Sequence, residues 1–91
     1  MNQLEVLRES LGQCDEIVLD ALLMRNRIVE DIMAYKEAND IPILQPEQEA
    51  KQREWLNRRM EGKRHKDEVM AVFEEITRNS KKIQARKLFD Y

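Results

Sequence analysis

Glycine and proline number two each in 91 residues, which leaves little turn chemistry. No strand pattern, internal repeat or low-complexity segment interrupts the chain. There is one cysteine, Cys14, so no disulfide can close within the chain. One histidine and no Cys/His cluster exclude a zinc site of the usual spacing. No run of about 18 apolar residues is present, so nothing is expected to span a membrane. The opening "MNQLEVLRES" lacks the apolar core of a secretory leader. Charge of one sign is missing too: 16 basic residues face 18 acidic ones, for a net charge of −2. Nucleic acid is therefore not the expected main partner, because it asks for a basic footprint. Disorder is excluded in turn, since the chain is 42% hydrophobic with low net charge. The expectation is a soluble, cytoplasmic protein forming a single domain over residues 1–91, with no metal and no cofactor.

What is present is helix. The fold class expected is all-α, with three helices: one long, one short and one medium. The first is expected from about Leu4 to about Ala38, with Gly12 as its weak point, costing about 1 kcal/mol against Ala. "NDIPILQP" (39–46) ends it, because Asn39 and Asp40 form turns and Pro42 biases Ile41 away from helix. Pro46 suits the first position of a second helix, "PEQEAKQREWLNRRMEG". Its early acids Glu47 and Glu49 and late Arg58 and Arg59 complement the helix dipole. Gly62 suits the C-cap. The third helix is expected from about Lys66 to about Leu88, with Val69, Val72, Phe73, Ile76 and Ile83 on its apolar face.

A helix of about 35 residues is roughly 50 Å long. A compact chain of this size is roughly 30 Å across. The first helix must therefore protrude, yet its apolar stripe runs along its whole length. A second copy of the chain is the simplest cover, and two-fold pairing is the commonest solution. An intertwined homodimer follows as an expectation.

The stripe itself is interrupted. At about 100° per residue, Leu4, Leu7, Leu11, Cys14, Val18, Leu22, Val29 and Ile32 fall within roughly 80° of arc. Arg25 and Lys36 fall inside the same arc, and Arg8 lies at its edge. A desolvated cation without a partner costs several kcal/mol, on the order of the full penalty for a buried charge. Each must pair with an acid, reach water, or await an anion. On the third helix, Ser80 and Gln84 interrupt the apolar face. On the second, Glu49 aligns with Leu56 and Met60. The inward set is thus Arg8, Arg25, Lys36, Glu49, Ser80 and Gln84. It holds no histidine, no thiol and no Gly-rich phosphate loop, which is not the equipment of a hydrolase or phosphoryl-transfer enzyme. It suits a small polyanion, such as a dicarboxylate with a hydroxyl, handled by positioning and fixed electrostatics.

These residues carry a resemblance. The stretches "LRESLGQCDEIVLDALLMRNRIVEDIMAYKEANDIPI", "PEQE" and "FEEITRNSKKIQ" resemble the all-helical class of chorismate mutase over nearly the whole chain. The resemblance implies an intertwined dimer of three-helix chains with two equivalent sites. It implies the one-substrate rearrangement of chorismate to prephenate, on the route to phenylalanine and tyrosine, without cofactor. By matching positions, Arg25 and Arg8 from the partner chain would hold the two carboxylates. Lys36 would bind a carboxylate and, with Gln84, the ether oxygen that gains negative charge. Glu49 would take the ring hydroxyl, and Ser80 would sit beside a carboxylate. Asp15 matches a frequent acid of the first helix and is read as structural. Gln45 and Gln48 depart from the family, which often has an acid and an arginine there. Both fall near the ring-hydroxyl end of the implied pocket, where a backbone donor at Gln48 could still serve.

Two other readings use the same residues. One is an isochorismate-pyruvate lyase of this fold. The other is a non-catalytic helical dimer, an interaction or regulatory module, in which Arg25 and Lys36 pair with acids and leave no cavity. Cys14 is expected as a small core residue and Trp55 as a packing residue. His65 is expected to be exposed in the basic connection "GKRHK". That connection and "KKIQARK" are read as solvated faces. Phe89 and Tyr91, in the tail "LFDY", are expected to dock or fray.

Overall fold

The computed structural model describes residues 2–89, with side chains described over residues 2–86. Three helices account for nearly all of it: α1 (Gln3–Ala38), α2 (Pro46–Met60) and α3 (Lys66–Phe89). Among the described residues there is no strand.

The helix ends follow from local chemistry. Asn2 caps α1, its side-chain oxygen accepting from the Glu5 N–H at 2.9 Å. At the other end Asp40 adopts a left-handed φ of 54°. The Ile41 N–H then folds back to the Lys36 carbonyl at 2.9 Å, and the Asn39 N–H reaches the Tyr35 carbonyl at 3.1 Å. That closure satisfies carbonyls the helix would leave unpaired and turns the chain sharply. Proline at the first position opens α2, as its missing N–H allows. After α2, Gly62 takes a φ of 72°, the conformation glycine adopts most cheaply.

α1 and α3 make the most extensive backbone contact. The apolar core is small: Val29 and Met33 of α1 and Leu56 of α2 are buried, Met33 most fully. The chain measures 56 × 32 × 14 Å, with a radius of gyration of 16.9 Å. A compact chain of this length would come to about 12 Å. With a helix about 10–12 Å thick, this is a slab little more than one helix deep.

Residues 2–21 are exposed throughout, including Leu4, Leu7, Leu11 and Val18 of the apolar stripe. Cys14 is exposed in the same way, and Trp55 is 48% exposed, so within one chain neither is the core or packing residue expected. The reason is common to both: a layer one helix deep covers only the side facing its neighbour. His65 is exposed, as expected, and holds a left-handed φ of 61°. The side chain of Phe89 and the whole of Tyr91 lie outside the described residues. No helix among the described residues is long and apolar enough to cross a membrane.

Candidate active site

Three polar residues, Lys36, Ser80 and Gln84, are buried alongside the apolar core. All three belong to the inward set read from the sequence. They come together because α1 and α3 pack along their C-terminal halves, bringing residues 48 positions apart into hydrogen-bond contact.

Lys36 sits in the last turn of α1. Its Nζ donates to the Gln84 Oε1 at 2.9 Å and to the Ile43 carbonyl at 2.9 Å. The second contact depends on the turn at Asp40, which sends Ile41–Ile43 back past the helix end. An ammonium carries three N–H donors, so one remains after these two. Gln84 is oriented by the same contact: its Oε1 accepts from Lys36, while its Nε2 donates to the Ser80 carbonyl at 3.4 Å. One amide N–H of Gln84 is left over by the same count.

Arg25 lies three turns before Lys36 on the same face and donates to the Ser80 Oγ. Ser80 in turn donates to the Ile76 carbonyl at 2.9 Å, the backbone bond a serine makes inside a helix. That bond fixes the hydroxyl so that its lone pairs face Arg25. The two cations thus meet neutral acceptors. Among the described residues neither is paired with a carboxylate.

A cleft of about 420 Å³ opens over these groups, within the range of small-molecule sites. Each helix gives it one stripe at helical spacing. From α1 come Arg25, Val29, Ile32 and Lys36. From α3 come Thr77, Ser80, Lys81 and Gln84. From the N-cap and first turns of α2 come Gln45, Gln48, Glu49 and Gln52, with Ile43 completing the wall. The cleft therefore gathers Arg25, Lys36, Gln45, Gln48, Glu49, Ser80 and Gln84, all expected from the sequence. Arg8 is not among them. It lies 17 residues before Arg25, about 25 Å along a straight helix, and is exposed.

Two expectations are corrected. The Gln48 N–H was a possible ligand donor, but it donates to the Gln45 carbonyl at 3.0 Å within the first turn of α2. "KKIQARK" was read as a solvated face, but its first residue, Lys81, lines the cleft and ion-pairs with Glu49 at 2.6 Å. The signal was in the spacing: Lys81 precedes Gln84 by three positions and so shares its face. Thr77 and Gln52, also unremarked in the sequence, bond to each other across α2 and α3 at 3.0 Å.

The arrangement offers a partly dry pocket with fixed cationic and amide donors, one carboxylate and apolar walls. It can hold an anion and favour negative charge developing beside Lys36. The non-catalytic reading required acid partners for Arg25 and Lys36 and a filled interior, and the geometry runs against it. No curated protein and no solved structure matches the chain. A family model described as chorismate mutase type II matches residues 7–85. With a match over most of its length, the chain belongs to the chorismate mutase type II family.

Proposed function

We propose that this protein rearranges chorismate to prephenate, as a homodimer whose two sites each draw on both chains. The observation that carries the proposal is the pair Arg25 and Lys36. Both are drawn out of solvent, both meet neutral acceptors among the described residues, and both face one cleft. A dianionic substrate supplies the counter-charge they lack.

The chemistry fits the residues. In this rearrangement the ether C–O bond breaks as a C–C bond forms, within one molecule and with no proton to move. A general base is unnecessary, and so is a cofactor. The protein must hold the reactive diaxial conformer and stabilise negative charge on the ether oxygen. The third N–H of Lys36 and the free N–H of Gln84 are the donors for that oxygen. They act in a site where charge is poorly screened and are already fixed by their other bonds. Arg25, steadied by Ser80, holds one carboxylate, since its planar fork suits that geometry. Glu49 accepts the ring hydroxyl, with Gln45 and Gln48 lining the same end of the cleft.

The second carboxylate falls to Arg8 of the partner subunit. Arg8 of the same chain is too far along α1, whereas a second α1 laid against the first brings its own N-terminal half over the open cleft. The exposed stripe of Leu4, Leu7, Leu11 and Val18 supports the pairing, because a contiguous apolar face of this length is costly to leave in water.

The test is direct. Purified protein is mixed with chorismate, and loss of its absorbance and appearance of prephenate are followed. Loss of chorismate with matching prephenate is expected. Stable chorismate at micromolar protein sinks the proposal.

A further inference from the structure

The Glu49–Lys81 ion pair stands at the boundary of two cavities. One is the cleft beneath Arg25 and Lys36. The other is a groove of about 230 Å³ between α2 and α3, floored by Leu56, Met70 and Phe73. Glu49, Gln52, Thr77 and Lys81 line both. They form two rungs between the helices: Glu49 Oε1 with Lys81 Nζ at 2.6 Å, and Thr77 Oγ1 donating to Gln52 Oε1 at 3.0 Å. Both partners of the ion pair are partly solvated, at 31% and 40% exposure. A pair so placed adds little stability. What it does fix is direction. Glu49 is a long side chain with three rotatable bonds, and without a partner it could turn to solvent or into the α2–α3 groove.

We infer that Lys81 is a positioning residue: it holds one oxygen of Glu49 and so presents the other to the hydroxyl of the substrate. This rests on the proposed function and deepens it. Lys81 touches no reacting atom. It sets how strongly the site prefers a substrate that carries the ring hydroxyl, because an aimed carboxylate accepts that hydroxyl and a free one competes with water for it. Arginine in place of lysine keeps a donor within reach of Glu49. Methionine keeps most of the length but loses both charge and donor; glutamine loses the charge and keeps only a neutral donor one atom shorter.

The experiment uses the full chain with two substrates, chorismate and its analogue lacking the ring hydroxyl. Lys81→Met and Lys81→Gln are expected to lower kcat/KM for chorismate about tenfold, mainly through KM, the equivalent of one charge-assisted contact. The loss on the analogue is expected to be several-fold smaller, so the preference for the hydroxylated substrate falls. Lys81→Arg is expected to restore most of that preference. In a Glu49→Gln background, Lys81→Met is expected to change kcat/KM by no more than about twofold, since residues acting as one unit are not additive. Equal losses on both substrates, or full additivity with Glu49→Gln, would overturn the inference. An active wild type matched by Lys81→Met overturns it alone. A wild type that leaves chorismate intact overturns the proposed function and this inference together.

Discussion

Lys36 Nζ lies 2.9 Å from the Gln84 Oε1 and 2.9 Å from the Ile43 carbonyl. One ammonium therefore joins the end of α1, the linker after it and the C-terminal half of α3. Among the described residues it is held by neutral groups, which orient it without cancelling its charge. That is the condition for a fixed donor to act on charge that appears only as a bond breaks.

Lys36→Ala removes that donor. The expected loss is about 3 kcal/mol of barrier stabilisation or more, at least about 100-fold in kcat. The substitution also leaves the Ile43 carbonyl and the Gln84 oxygen without their donor, which costs roughly 1–3 kcal/mol of stability. Thermal unfolding should be measured alongside turnover, and turnover taken well below the lowered Tm. A folded variant with wild-type kcat removes Lys36 from the mechanism.

Ser80→Ala acts one step further out. The hydroxyl accepts from Arg25 and donates to the Ile76 carbonyl. Losing it frees the guanidinium to choose other geometries, at a cost of about 1 kcal/mol in substrate binding, or roughly fivefold in KM. Because Arg25 holds the substrate in place, kcat should change less than KM. Steady-state kinetics decide this, and a fall confined to kcat contradicts it.

His65→Gly should stabilise the protein. His65 is exposed and holds a φ of 61°, where a side chain is strained and glycine is not. The relief exceeds the entropy that glycine adds to the unfolded chain, leaving a gain of about 0.5 kcal/mol. For a chain of this size that is a rise of about 2–4 °C in Tm, readable by circular dichroism. A lower Tm would mean that the imidazole makes a contact worth more than the strain.

Apart from the Asn2 cap of α1, which is the structure's addition, the sequence carried the helices because several of their ends are written in local chemistry: the Asn39–Asp40 turn, Pro46 and Gly62. It carried Arg25, Lys36, Ser80 and Gln84 because a polar residue on an apolar face breaks a periodic pattern. It did not carry the Glu49–Lys81 and Gln52–Thr77 rungs. Glu49 stood out on its helix face, but its partner Lys81 and the pair Gln52 and Thr77 are polar residues of an ordinary kind, and only the approach of α2 to α3 pairs them. The Gln48 N–H, left open from the sequence as a donor that could serve, is engaged within the helix for a related reason. A first-turn N–H has no partner within an ideal α-helix, but here the tight opening of α2 supplies the Gln45 carbonyl. The exposure of Cys14 and Trp55 reflects the depth of one chain, a quantity no local pattern encodes.

The shared site makes a prediction that single variants cannot. Mass measurement by light scattering at micromolar concentration should give twice the chain mass. Arg8→Ala and Lys36→Ala should each disable both sites of their own homodimer. Mixed by unfolding and refolding together, half of the dimers should carry one chain of each kind. In such a dimer the first site combines an intact Lys36 cleft with an intact Arg8 from the other chain, and both lesions collect in the second. Activity should therefore rise from near zero to about a quarter of wild type, the statistical value for two-fold pairing. If each chain formed its own complete site, mixing would leave activity at the average of the two variants. The distance between Arg8 and Arg25 along one unbroken helix is the reason to expect the quarter.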